Sequence, residues 1–124
     1  MNVRWMAVLT GFLVDLLISQ LVLVFASPQF ATAPDPARPG DLALLCLLTL
    51  STGVGGYIAG RMARVDRTLN GLLVAVVGVL FGQLGPPLPR VFVIASVVAC
   101  LLAALGGFLS RYPPHRQPRP PTQP

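Results

Sequence analysis

One acidic side chain interrupts the first long apolar stretch of the sequence. Asp15 follows Ala7 and Gly11 and precedes Ser19, each four residues apart. Residues at this spacing lie on one face of an α-helix, so the carboxyl group is expected on a face of small residues that packs against other helices. None of the apolar stretches holds a cation to pair with it, and desolvation then favours the neutral acid. A buried acid that can take up and release a proton is the first candidate for chemistry in this chain.

Ser51 and Thr52 are the polar residues best placed to lie beside Asp15. They occupy the middle of the second apolar stretch, and Asp15 lies about 15 Å along a helix counted from Trp5. If the first two helices cross the bilayer in opposite directions, Asp15, Ser51 and Thr52 lie at the same depth and are close enough to form hydrogen bonds. Asp15 then either binds protons or is a neutral acid that joins two helices by hydrogen bonds worth about 1 kcal/mol or less in a membrane.

No other set of residues suggests chemistry. The sequence has no nucleophile beside a base, no paired carboxylates, no metal-binding cluster and no phosphate-binding loop, so we expect neither catalysis nor a cofactor. Cys46 and Cys100 lie within apolar stretches and are expected to be packing residues. Asn70 and Gln83 fall near the ends of the third stretch, where water can satisfy them. The arginines are scattered singly, which argues against nucleic-acid binding.

Four apolar stretches must position these side chains. The chain is 54% hydrophobic and 10% charged with a mean hydropathy of +0.74, which leaves too little polar surface for a soluble domain. All 13 prolines lie outside the stretches, which are near the ~20 residues needed to cross a ~30 Å bilayer core. We therefore predict an all-α membrane protein, a compact bundle of four transmembrane helices in residues 1–110. The predicted spans are about 5–26, 42–60, 69–84 and 91–109.

The arginines predict the orientation of this bundle. Seven of the nine lie at one side of the predicted spans and only Arg38 and Arg90 lie at the other, so the positive-inside rule places both termini in the cytoplasm. The use of Arg without any Lys favours a GC-rich bacterial genome, and hence the bacterial cytoplasmic membrane. Two interpretations are open for four of these arginines, Arg61, Arg64, Arg67 and Arg111. They set the topology alone, or they also bind anionic lipid head groups.

Prolines dominate two of the remaining segments. The connection from Ser27 to Asp41 has a composition that favours an extended, mobile segment. The tail, residues 111–124, is expected to be disordered or polyproline II, with His115 solvated. Pro118, Pro121 and Pro124 have the spacing of a PxxP ligand, which leaves open docking to a cytoplasmic partner.

Small residues recur on one face of each predicted helix. Ten of the 12 glycines fall inside the apolar stretches, although glycine is a poor helix former unless another backbone comes close. Steps of three or four residues place them on shared faces, so van der Waals contact between helices is expected. The predicted helix-packing residues are Gly11, Gly53, Gly56, Gly60, Gly71, Gly78, Gly82 and Gly106.

One motif resembles a known group of proteins. Gly-Gly-Tyr-Ile-Ala-Gly-Arg at residues 55–61, followed after a basic turn by Asn70-Gly71, is similar to a motif of small four-helix prokaryotic membrane proteins of unknown function. The resemblance implies a four-helix integral membrane protein and brings no activity or catalytic residues. Residues 106–111 echo residues 55–61, which leaves open two tandem hairpins related by a parallel pseudo-twofold axis.

Two functional classes fit these features. The first is a non-enzymatic structural, assembly or interaction component of the membrane, which packs with itself or with a larger membrane complex. The second is a small proton-coupled transporter or channel with Asp15 as the protonation site, oligomeric because four short helices enclose little volume. Substitution of Asp15 by Asn separates them, since it should leave an assembly intact and stop proton-coupled flux.

Overall fold

The computed structural model describes residues 2–85 and 87–112. These residues form five α-helices and no strand, so the all-α prediction is confirmed. Three of the helices are long and apolar enough to cross a membrane: α1 (Trp5–Val24), α3 (Pro39–Ala63) and α5 (Arg90–Leu109). The other two are α2 (Pro28–Thr32) and α4 (Arg67–Gly82). At 16 residues, or about 24 Å, α4 is apolar but shorter than a ~30 Å bilayer core.

Local residues account for the ends of α3 and α4. Pro39 begins α3 because its fixed φ suits the first helical position, and Asp41 in the first turn favours the positive end of the helix dipole. Arg64 ends α3 in the left-handed conformation, with φ of 61°. Asp66, which is also left-handed, precedes α4. This helix begins and ends two residues earlier than the predicted span of about 69–84.

The connection between the first two long helices contains a short helix, so the prediction of an extended segment was wrong for residues 28–32. Pro28 begins the five-residue helix α2, which places Phe30 in a fully buried position. The Phe30 ring packs edge to face against Phe92 of α5, with the ring centroids 5.8 Å apart. Burial of one large aromatic side chain contributes on the order of 2 kcal/mol, which offsets part of the entropy lost on ordering the connection.

The four longer helices form one bundle in which α3 and α4 are the central pair. Each of these two helices packs against all three others, and α1–α3 and α4–α5 are antiparallel hairpins. We call the end that carries residues 2–5 and 110–112 the terminal end. The opposite end, which carries α2 and residues 83–85 and 87–89, is the loop end. Asp66 and Asn70 also lie at the terminal end, where Asp66 Oδ2 accepts a hydrogen bond from the Asn2 amide at 2.8 Å.

Two pairs of adjacent glycines bring the backbones together in the terminal half of the bundle. Gly55 of α3 faces α1, where a Cβ on Gly55 would lie 2.6 Å from the Gly11 carbonyl oxygen, whereas Gly56 abuts the backbone of Ala103 in α5. On α5, Gly106 abuts α3, and a Cβ on Gly107 would lie 2.5 Å from the Arg67 carbonyl oxygen of α4. Successive residues point about 100° apart on a helix, so each pair serves two neighbouring helices.

The other predicted packing glycines divide between the two halves of the bundle. Gly60 and Gly71 lie within the terminal half, where a Cβ on either would come 2.9 Å from Gly107 Cα. Toward the loop end the glycines have more room. A Cβ on Gly53 would make ordinary contact with Leu102 at 3.5 Å, and Gly78 and Gly82 would meet nothing closer than 3.8 Å. The helices therefore pack most tightly in the terminal half.

Replacement of Gly56 by Ala is expected to destabilise the bundle by about 1–3 kcal/mol, because the new methyl group would collide with the Ala103 backbone. Gly78→Ala is the matched control. Its methyl group has room, and a helical Gly is about 0.5–1 kcal/mol less favourable than Ala, so stability should be unchanged or slightly raised. Unfolding in detergent micelles measures both variants, and equal stabilities would contradict this packing.

Candidate functional site

Asp15 lies inside the bundle, between α1 and its neighbours. The face of α1 that carries Ala7, Val8 and Gly11 is buried, and Asp15 continues this face with 7% of its surface exposed. The four-residue steps read from the sequence therefore place the carboxyl group on the inward side of α1. The structure also brings Ser51 and Thr52 of α3 to this carboxyl group, and both are buried.

One carboxylate oxygen of Asp15 receives all of these contacts. The hydroxyl groups of Ser51 and Thr52 donate to Oδ1 at 2.7 and 3.1 Å, and Ser19 Oγ, one turn along α1, lies 3.4 Å from the same atom. Ser19 and Ser51 are also linked to each other, with their Oγ atoms 3.1 Å apart. These bonds orient the carboxyl group and join α1 to α3.

The α3 hydroxyl groups have a second acceptor in the Leu48 carbonyl oxygen. Ser51 Oγ lies 2.7 Å and Thr52 Oγ1 lies 3.3 Å from this oxygen. Each hydroxyl has one proton, so at any instant it donates either to Leu48 or to Asp15. Loss of the Asp15 oxygen would therefore leave both hydroxyl groups satisfied, whereas loss of the hydroxyl groups would strip Asp15 of its strongest donors.

Asp15 Oδ2 points away from these hydroxyl groups, toward α4. The hydrogen bonds from the described residues all reach Oδ1, and a Cβ on Gly78 of α4 would lie 3.8 Å from Oδ2 and 3.9 Å from Phe12 Cε2. Across the described residues, no fully buried side-chain oxygen or nitrogen lacks a partner. Oδ2 accepts no hydrogen bond from these residues, so it is not fully buried and is accessible from the space in front of it.

That space is a cavity of about 250 Å³ in the loop-end half of the bundle. The cavity wall is formed by residues of α1, α3, α4 and α5, including Asp15 of α1, together with Leu88 from the last connection. The wall is mainly apolar and includes three aromatic rings, Phe12, Phe81 and Phe92. Apart from Asp15, its polar groups are hydroxyls, so Asp15 is the one titratable side chain among the described lining residues.

The cavity stops at the level of Asp15. Beyond this residue, toward the terminal end, Val8, Ala59 and Val74 form a buried apolar cluster. The close approach of Gly11 to Gly55 lies in the same region. The tight glycine contacts and the apolar cluster therefore close the terminal half, and Asp15 forms the inner end of a space that belongs to the loop-end half.

Asn70 organises the terminal end, a role that the sequence did not predict. Instead of meeting water it is fully buried, and its Oδ1 accepts a hydrogen bond from the Arg4 amide at 2.9 Å. Its Nδ2 faces the carbonyl oxygens of Asn2, Val65 and Asp66 at 3.3, 3.2 and 3.0 Å. One amide side chain thus ties the N-terminal segment to the α3–α4 connection. This connection contains two left-handed residues, Arg64 and Asp66, and Asn70 binds carbonyl oxygens of the same turn.

The four arginines predicted to set topology or to face lipid head groups lie at the terminal end: Arg61, Arg64, Arg67 and Arg111. Arg67 Nη1 donates to the Ser110 carbonyl oxygen at 2.6 Å, at the C-terminal end of α5, where a cation is favoured by the helix dipole. Arg111 Nη2 donates to Thr68 Oγ1 at 3.1 Å. Two of these arginines thus contribute to packing between α4 and α5 as well as to the charge of this end.

The described residues show no metal-binding group, and both cysteines are free thiols. Cys46 is exposed and Cys100 is half-buried, so neither belongs to the buried core. The proline-rich segment with the PxxP spacing and His115 lies outside the described residues. Asp15, with its three hydroxyl neighbours and its cavity, is therefore the strongest candidate site.

Removal of the hydroxyl donors should destabilise the bundle more than replacement of the Asp15 carboxyl group by an amide. The double substitution Ser51→Ala with Thr52→Val leaves Asp15 short of donors in a buried position and is expected to destabilise the bundle by about 1–3 kcal/mol. Asp15→Asn keeps an acceptor oxygen, and the hydroxyls can turn to Leu48, so its effect should stay below about 1 kcal/mol. Thermal unfolding in detergent compares the two, and a reversed order would contradict this arrangement of donors.

No protein-family model, curated protein or solved structure matches this chain.

Proposed function

We propose that this chain is a polytopic membrane protein with four spans, and that both termini lie in the bacterial cytoplasm. The resemblance of residues 55–61 to small four-helix membrane proteins agrees with this proposal. Exposed leucines, valines and aromatic residues on α1, α3, α4 and α5 suit a lipid surface. The course of α4 supports the fourth span. It begins at the terminal end, where Arg67 contacts Ser110, and ends at the loop end, where Gly82 lies near Leu88.

Reporter fusions test the number of spans. If α4 crosses the membrane, the two termini lie on the same side, so GFP at either end should fluoresce and alkaline phosphatase at either end should stay inactive in a bacterial host. If only three helices cross, one terminus is external. An active phosphatase at one end only would therefore contradict the four-span proposal, and active phosphatase at both ends would contradict the orientation.

Within this membrane protein, Asp15 serves as the protonation site of a small, non-enzymatic proton-coupled transporter. The observation that carries this proposal is the asymmetry of the carboxyl group. Oδ1 accepts hydrogen bonds from Ser51 and Thr52, whereas Oδ2 accepts none from the part of the chain that the structure describes and faces the cavity. When Asp15 is protonated, the proton is therefore bound to Oδ2, where it contacts a ligand in the cavity.

The two halves of the bundle fit one state of an alternating-access transporter, in which the site is reached from one end and closed at the other. The cavity reaches Asp15 from the loop-end half, and the glycine contacts and the apolar cluster around Val8 close the other half. Transfer to the terminal end requires the contacts of Gly11 with Gly55 to open. A second copy of the chain would supply further wall to a cavity of this size, so we include a homo-oligomer in the proposal.

Infrared difference spectroscopy tests the protonation site directly. Vesicles that contain the protein are moved between acidic and alkaline buffer, and the carboxylic-acid C=O band of Asp15 should appear at low pH and vanish at high pH. Asp15→Asn should remove this band, whereas Asp35→Asn, a change at an exposed carboxylate of the connection, should keep it. An Asp15 carboxyl group that does not change protonation over the pH range in which the protein is folded would overturn the proposal.

A structural or assembly role is the second candidate, favoured by an exposed row of leucines on α1. Leu9, Leu13, Leu17 and Leu21 lie four residues apart and each is more than half exposed. Such a row can pack against a second copy or a larger membrane complex, and the proline-rich tail is available for a cytoplasmic partner. In that case an unchanged complex after Asp15→Asn is expected, with no loss of function.

A further inference from the structure

We propose that the cavity binds a small lipophilic monocation, whose charged group takes the place of the proton at Asp15 Oδ2. This inference rests on the proposed role of Asp15 as the protonation site and names the class of substrate. The cavity volume of about 250 Å³ lies just below the range of about 300–1,000 Å³ typical of sites for drug-sized ligands. The ligand is therefore expected to be smaller than a drug, for example an aryl group with one ammonium centre.

The charge of the ligand follows from the carboxyl group. When Asp15 is ionised, Oδ2 is a negative oxygen in an apolar wall, without a hydrogen-bond donor from the described residues. A buried charge of this kind requires a partner of opposite sign, and a monocation supplies it. The same charge repels anions. A dication would bring one charge that no side chain among the described lining residues can match.

Aromatic rings reinforce the preference for a cation. Phe12 and Asp15 Oδ2 approach the same point above Gly78, where a Cβ would lie 3.9 and 3.8 Å from them. Phe12 also packs edge to face with Phe81, with the centroids 5.7 Å apart, and both rings line the cavity. The face of an aromatic ring attracts a cation, and the attraction is stronger where water is excluded. The space that Gly78 leaves free is therefore suited to an ammonium group.

The hydroxyl groups of the wall do not favour a polar neutral ligand such as a sugar. Ser96 Oγ donates to the Phe92 carbonyl oxygen at 2.7 Å, and Thr49 Oγ1 donates to the Cys46 carbonyl oxygen at 2.9 Å. These donors are used within their own helices, so their hydrogens do not point to the ligand. What remains for the ligand is an apolar wall, aromatic rings and one carboxylate oxygen.

A proton and a cation compete for one oxygen, so binding of one excludes the other. The groups that face Asp15 are the hydroxyls of Ser51 and Thr52 on α3, Gly78 on α4, and across the cavity Ser96 with its neighbouring alanines on α5. None of these groups titrates in the ordinary pH range. Where Asp15 is mostly protonated, cation affinity should therefore rise with pH by up to about tenfold per unit, and each bound cation should release one proton.

The probe is benzyltrimethylammonium, added to the full chain in vesicles of phosphatidylglycerol, which has no cationic head group. We expect saturable binding that strengthens with pH and releases one proton per cation, detected with a pH-sensitive dye. Asp15→Asn should weaken binding at least tenfold. Gly78→Leu should also block it, because the side chain fills the space before Oδ2 without a backbone collision, whereas Gly53→Ala, at a helical glycine outside the cavity wall, should leave binding unchanged. Circular dichroism and unfolding in detergent establish that each variant is folded.

The outcomes separate the cation site from the protonation site. If the infrared band of Asp15 titrates but the folded wild-type protein does not bind the probe, the inference is wrong and the proposed function stands. If the probe binds at Asp15 without proton release, the cation site stands and proton coupling is wrong. Binding that persists undiminished in both Asp15→Asn and Gly78→Leu would place the cation elsewhere and overturn the inference.

A lipid head group carries the same ammonium chemistry as a free amine, so a second set of vesicles contains phosphatidylethanolamine. If a free cation is the ligand, probe affinity corrected for the smaller negative surface charge of these vesicles should be the same in both membranes. Weaker probe binding in phosphatidylethanolamine, restored by dilution of that lipid, would identify the head group as the occupant and contradict a free cation.

Discussion

The fold depends on backbone-to-backbone contact between helices in the terminal half of the bundle. In a membrane, lipid tails are as apolar as leucine, so helices gain little from burial and associate through close van der Waals contact. Gly55 with Gly56 on α3, and Gly106 with Gly107 on α5, allow this contact in two directions at once. A methyl group at any of these positions would collide with a neighbouring backbone, so the close packing of this half of the bundle requires glycine there.

The same contacts explain why a cavity exists in the other half. Toward the loop end, a Cβ on Gly78 or Gly82 would meet nothing closer than 3.8 Å, and the side chains of Phe12, Phe81 and Phe92 line the space between the helices. The space between them is not filled by protein atoms. The bundle therefore has tight packing in one half and a cavity in the other.

Asp15 lies where these two regions meet, and its environment divides its two oxygens. Hydroxyl groups of α1 and α3 satisfy Oδ1, so the site retains a polar anchor inside apolar surroundings. Oδ2 faces the cavity. Under the proposed function, protonation makes the cavity neutral and ionisation makes it a site for a cation. One carboxyl group would then couple a proton to a ligand.

The sequence by itself determined the all-helical architecture, the approximate helix bounds and the inward position of Asp15, because hydrophobic length and four-residue steps are local properties. It also pointed to Ser51 and Thr52, since residues at equal depth on antiparallel helices meet. Only the tertiary structure decided which glycines make contacts, because Gly56 and Gly78 look alike until neighbours are in place. The burial of Phe30 and Asn70 was decided there too. Each is held by residues far along the chain, which no local pattern reveals.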